Sequence, residues 1–76
     1  MNNKAENFKR LAEKRVTECV KKIRLIGNLA NKNNYEYTND QAKKIITTLE
    51  NEVKLLRNRF KEESESIDYT FRFDDE

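Results

Sequence analysis

The sequence predicts an all-α fold: a long antiparallel helical hairpin, with helices over about residues 5–31 and 39–63, that dimerises into a four-helix bundle and carries an extended or β-like tail over residues 67–73. Three features point to it. The chain has no proline, one glycine and 39% charged residues, a composition that favours long helices and is poor in turns. Its apolar residues recur at steps of three and four in two separate segments, the spacing that lines up one face of a helix. An asparagine-rich run lies between those segments, where a turn is needed.

The first helix should begin near Lys4 or Ala5, with Asn3 as its cap and the residues before it frayed. Its inner face is Ala5, Phe8, Ala12, Val16, Cys19, Ile23, Ile26 and Ala30, a stripe within roughly 80° on a helical wheel. Leu11, Leu25 and Leu29 fall on one flank of that stripe and Val20 on the other. The apolar surface is therefore wider than a two-helix seam requires. Packing against the second helix is one use of the flank. The other is a contact face for oligomerisation, favoured because the chain is so small.

Gly27 has two readings. It ends the helix as a left-handed C-cap, or the helix continues to about Asn31, since Leu29 and Ala30 stay in phase. Continuation is preferred, and Gly27 would then permit close approach of another backbone or an aromatic ring. Residues 31–37, Asn-Lys-Asn-Asn-Tyr-Glu-Tyr, form the connection. Asparagine tolerates left-handed geometry and makes local side-chain turns. Tyr35 and Tyr37 are expected to pack back over the helix ends.

The second helix is the cleaner of the two. Ala42, Ile45, Ile46, Leu49, Val53, Leu56 and Phe60 form a narrow stripe between polar residues. Thr38-Asn39-Asp40-Gln41 before them fits a capping box, in which the threonine and glutamine side chains each accept from the other residue's backbone N–H. Two helices of about 27 and 25 residues, each on the order of 40 Å long, joined by a short connection, argue for an antiparallel hairpin. After Phe60 the period changes. Ile67, Tyr69, Phe71 and Phe73 alternate with Asp68, Thr70 and Arg72, which reads as a strand. A lone strand can pair with its two-fold mate, add to a sheet in a target, or lie along the helices; a disordered tail is the plain alternative. Residues 1–63 and 64–76 are thus expected to be a helical body and an aromatic, acidic tail.

With 76 residues and 36% hydrophobic content the chain is one domain at most, and a domain this small usually needs a staple or a partner. One cysteine and no histidine exclude an internal disulfide and ordinary zinc spacing. No apolar run is long enough to span a membrane, no signal-peptide core opens the sequence, and the single thiol fits a reducing cytoplasm. Net charge is +2 but uneven: residues 1–37 carry +5 and residues 38–76 carry −3. The halves should attract, or give an assembly one basic and one acidic surface.

Catalytic chemistry is nearly absent. There is no histidine for general base work, no glycine-rich phosphate loop and no nucleophile elbow. Cys19 sits mid-stripe and reads as a buried small hydrophobe rather than a reactive thiol. No cofactor, metal or small-molecule substrate is implied, and no enzyme is expected. Arg10, Lys14, Lys21 and Arg24 fall opposite the apolar face of the first helix, where they can follow a phosphate backbone or simply form a solvated face diluted by Glu6 and Glu18. Tyr35, Tyr37, Ile67, Tyr69, Phe71 and Phe73 are candidate partner-binding residues, since aromatics give large contact area with few torsions to freeze. Their plain reading is completion of a small core. Leu11, Leu25 and Leu29, with Val53, Leu56 and Phe60, are the candidate oligomer interface.

The run Lys22-Ile23-Arg24-Leu25-Ile26-Gly27-Asn28-Leu29-Ala30-Asn31, with Asn34-Tyr35-Glu36-Tyr37-Thr38 behind it, resembles a stretch in small uncharacterised α-helical proteins of Gram-positive bacteria and their mobile elements. The resemblance covers roughly residues 8–60. It implies a bacterial cytoplasmic or phage-associated origin and a role for the Arg24–Tyr37 segment beyond that of a loop. It brings no activity with it. The leading expectation is a small non-enzymatic interaction protein, a homodimer that regulates or inhibits a larger protein or nucleoprotein complex. A nucleic-acid-binding regulator and a purely structural oligomerisation module are the alternatives.

Overall fold

The computed structural model describes the backbone of residues 3–68 and the side chains of residues 3–63. Two α-helices make up most of it: α1, Lys4–Gly27, and α2, Asn39–Asp68. A 3₁₀ turn, Asn28–Ala30, continues α1. The described residues contain no strand, so the class is all-α. The chain divides into two units, Met1–Tyr37 and Thr38–Glu76, each built on one helix. The division falls where the charge changes from a +5 to a −3 segment.

In the first unit, α1 starts at the expected place by a different device. Asn3 occupies the cap position, and its carbonyl accepts from the Asn7 N–H at 2.9 Å. Its side chain makes no cap bond. The reason lies in its backbone: Asn3 is already helical at φ −89°, ψ −2°, whereas a capping side chain reaches the first-turn N–H groups from an extended residue.

At the other end, Gly27 has φ −60°, ψ −30° and is not left-handed. The helix tightens into the 3₁₀ turn and stops at Asn31, whose ψ of 104° is extended. The preferred continuation through Leu29 and Ala30 therefore holds. The close approach expected at Gly27 does not appear among the described residues: a Cβ there would meet nothing within 4 Å.

Asn31 then builds the turn. Its Oδ1 accepts from the Asn33 N–H at 2.9 Å, and its carbonyl accepts from Asn34 and Tyr35 at 3.1 and 3.0 Å. No described residue uses positive φ, so asparagine acts here through its side-chain acceptor rather than through left-handed tolerance. Tyr37 folds back as expected. Its hydroxyl donates to the Ala30 carbonyl at 2.8 Å, one of the orphan acceptors at the helix end. Lys32 Nζ lies 5.1 Å from the Tyr37 ring centroid, within cation–π range.

In the second unit the capping box forms as the sequence predicts. The Gln41 N–H donates to Thr38 Oγ1 at 3.0 Å, and the Thr38 N–H donates to Gln41 Oε1 at 2.8 Å. The Thr38 carbonyl starts the ladder by accepting from Ala42 at 3.1 Å. The far end of α2 corrects the tail boundary. The helix runs to Asp68, so Ile67 and Asp68 are helical and do not begin an extended segment. Lys61-Glu62-Glu63-Ser64-Glu65-Ser66 has good or neutral helix formers and no breaker, and that local preference carries past the change of period. The rest of the predicted strand, including Tyr69, Phe71 and Phe73, lies outside the described residues.

Candidate interaction surface

On α1, Phe8, Val16 and Ile23 are 58%, 60% and 44% exposed, while Ala12 and Ile26 are half-buried. On α2, Ile46, Val53, Leu56 and Phe60 are each 50–58% exposed, with Ala42 and Leu49 half-buried. No described residue is buried. Each large apolar side chain covered fully by a partner surface gives about 1.5–3 kcal/mol. Both stripes therefore hold about half of that stabilising capacity in reserve.

Of the candidate oligomer residues, Leu25, Leu29, Val53, Leu56 and Phe60 are exposed and Leu11 is half-buried. Cys19 is exposed, contrary to the expected burial, because the stripe around it is open. Leu55 was not singled out by periodicity. It is 56% exposed and lies off the α2 stripe, beside Leu56. Its only sequence signal is being a leucine at a position the helical period assigns to solvent.

Arg10, Lys14, Lys21 and Arg24 are all exposed, and the helix places them in one row about 21 Å long. The row is longer than the four cations. At the same steps of three and four it takes in Asn7, Thr17 and Asn28, with no acidic residue at any of its seven positions. Those three positions are uncharged, so nothing in the sequence marks them as part of a basic row. Asn7 belongs to the row by contact as well, its Oδ1 accepting from Arg10 Nη2 at 3.4 Å.

The aromatic candidates separate. Tyr37 is half-buried and is occupied by its bond to Ala30 and by Lys32, which is a structural role. Tyr35 is 49% exposed and its side chain is available to a partner. The backbone of Ile67 is helical, and Tyr69, Phe71 and Phe73 lie outside the described residues. The described residues hold no group of three or more histidine, cysteine, aspartate or glutamate side chains suited to a metal ion. No described helix is long and apolar enough to cross a membrane. Comparison of the chain with protein-family models, curated proteins and solved structures finds no match.

Proposed function

We propose that the protein is a small non-enzymatic interaction module, active in the cytoplasm as a homodimer, that regulates or inhibits a larger protein or nucleoprotein complex. An origin in a phage or mobile element fits the stretch around Arg24–Tyr37. The observation that carries the reading is the exposure of large apolar side chains along both helices, 39–60% for eleven of them. Lone apolar residues on a surface need no explanation, but continuous stripes on two helices mark surfaces to be covered. Two antiparallel hairpins sharing a four-helix core would cover them. Exposed Tyr35, outside the stripes, is then left to meet the regulated partner.

Light scattering across a concentration series tests the assembly: a dimer at micromolar concentration that dissociates on dilution supports it, and a well-folded monomer throughout excludes it. Deleting residues 67–76 tests the tail. Loss of dimerisation or of partner capture supports a binding role, and unchanged behaviour in both assays removes it.

The acid-free row on α1 favours a second reading, a nucleic-acid-binding regulator. Affinity for duplex DNA or RNA would then fall steeply with salt, and charge reversal at Lys14 and Lys21 together would abolish it. Binding that is absent, or insensitive to salt, eliminates this reading.

A further inference from the structure

Positive charge in the first unit is not spread evenly along the chain. Residues 1–18 carry five basic and three acidic side chains, whereas residues 19–35 carry four basic and none acidic. The acid-free row of α1 is therefore most positive toward its far end, at Lys21, Arg24 and Asn28, all exposed. Its steps of three and four go on into the connection. The Asn31 N–H donates to the Asn28 carbonyl at 3.4 Å, and the Tyr35 N–H donates to the Asn31 carbonyl at 3.0 Å. Two hydrogen bonds thus tie Tyr35, 49% exposed, to the last residue of the row.

We propose that Lys21, Arg24, Asn28 and Tyr35 bind a single strand of DNA, with its phosphates along α1 and one unpaired base on the Tyr35 ring. The inference rests on the nucleic-acid reading above. It names the form of the ligand and adds the aromatic residue that reading lacks.

Two observations select a single strand over a duplex. The first is Tyr35 itself. Proteins that hold single strands combine a basic track with aromatic rings on which bases stack. In a duplex each base face is already covered by its neighbours, and an exposed ring has none to meet. The second is the acids beside the row. Glu13 lies about one turn from Arg10 and Thr17, and Glu18 about one turn from Lys14 and Lys21, on opposite sides of the row. A helix seated in the major groove has a strand on either side, so both carboxylates would face phosphate. One strand following the row meets neither. These contacts are to phosphates and a base face, which DNA supplies without a 2′-hydroxyl.

The plain role of Arg24, in the last turn of α1, is to complement the negative end of the helix. That end would also repel a phosphate. Here its carbonyls are occupied: Asn28 accepts from Asn31, Ala30 accepts from the Tyr37 hydroxyl, and Asn31 accepts from Asn34 and Tyr35. The turn that positions Tyr35 thus also quiets the carbonyls beside it, leaving Lys21 and Arg24 to face the strand.

Fluorescence anisotropy of the full chain with a short labelled oligothymidine strand tests this. The strand alone should bind at least about tenfold more tightly than the same strand paired with oligodeoxyadenosine at equal salt. Tyr35→Ala should weaken single-strand binding about tenfold, and Tyr35→Phe, which keeps the stacking face, by less than about twofold. Lys21→Gln with Arg24→Gln should lower the slope of log affinity against log salt by about 1.4, the loss of two phosphate contacts on a single strand. Those two positions lie outside the turn, so they test the row even where Tyr35→Ala loosens the connection. Lys43→Gln with Lys54→Gln makes the same change of net charge on exposed positions of α2 and should leave the slope unchanged. Equal or tighter binding of the duplex overturns the single-strand assignment and leaves the nucleic-acid reading standing. Full binding by Tyr35→Ala, an equal loss of slope in the α2 variant, or an oligouridine strand held tenfold more tightly than the DNA also overturns the proposal. Binding to neither strand nor duplex refutes the nucleic-acid reading as well.

Discussion

The connection and the helix stripes are satisfied in opposite ways. Between Ala30 and Ala42, polar groups find partners within a few residues: Tyr37 with Ala30, Asn31 with Asn33, Thr38 with Gln41. Along the stripes, large apolar side chains remain about half exposed. Hydrogen bonding at a turn is short-range and can be completed by neighbours in sequence. Apolar burial needs a second surface, and residues on one face of one helix cannot supply it to each other. The difference teaches where the free energy of this protein resides: local order in the connection, assembly on the stripes.

The sharpest way to break that contrast is a charge on the α2 stripe. Val53→Asp places a carboxylate where the dimer would bury a valine, a cost of ~3 kcal/mol or more per chain. The dimer dissociation constant should rise more than about a hundredfold, with much of the far-ultraviolet helical signal lost at micromolar concentration. Lys54→Asp, on the outer face next to it, should change stability by no more than about 0.5 kcal/mol. Equal effects of the two substitutions in sedimentation and circular dichroism would show that the stripe has no special role.

The same contrast explains what could be read from the sequence. The capping box was legible because Thr38 and Gln41 carry the whole interaction in four residues, and the stripe of α2 because seven apolar residues repeat one period. Asn3 shows the limit of such patterns. Asn3-Lys4-Ala5-Glu6 has the same box spacing as Thr38–Gln41, yet Asn3 is helical and its side chain makes no cap bond. Residue type marks a possible cap, and the backbone conformation decides whether it acts. Ile67 and Asp68 show a second limit. Period two began there in the sequence, but a helix already running through breaker-free residues continues past two positions of contrary pattern. Leu55 shows a third, since an apolar residue off the period gives no sign of what it faces.

On the connection the expected effects are smaller and should appear whether or not the chain is dimeric. Thr38→Ala removes one half of the box and should cost about 1 kcal/mol, read as a drop in thermal midpoint of the same size at every protein concentration. Gly27→Ala should act in the opposite direction. Its backbone is helical and its Cβ would meet nothing within 4 Å, so the gain in helix propensity is about 0.5–1 kcal/mol. A rise in the midpoint with unchanged dimerisation confirms open space at Gly27. A weaker dimer instead places the backbone of another copy against it, and Gly27 would then belong with the stripes rather than the connection.

The smallest effect belongs to Lys32. Its ammonium lies over the Tyr37 ring at an exposed site, where such a contact contributes on the order of 0.5 kcal/mol. Lys32→Ala alone cannot separate that contact from a change in local charge, so a cycle with Tyr37 is needed. Tyr37→Phe keeps the ring and loses the bond to Ala30; Tyr37→Leu loses both. Lys32→Ala should therefore cost the same in the wild-type and Tyr37→Phe backgrounds and nothing in the Tyr37→Leu background, as read from thermal midpoints. A loss that persists with leucine at position 37 would mean that Lys32 stabilises the turn through the negative end of α1, where the last carbonyls point. The connection would then owe part of its order to the helix it follows, and its independence from the stripes would be only partial.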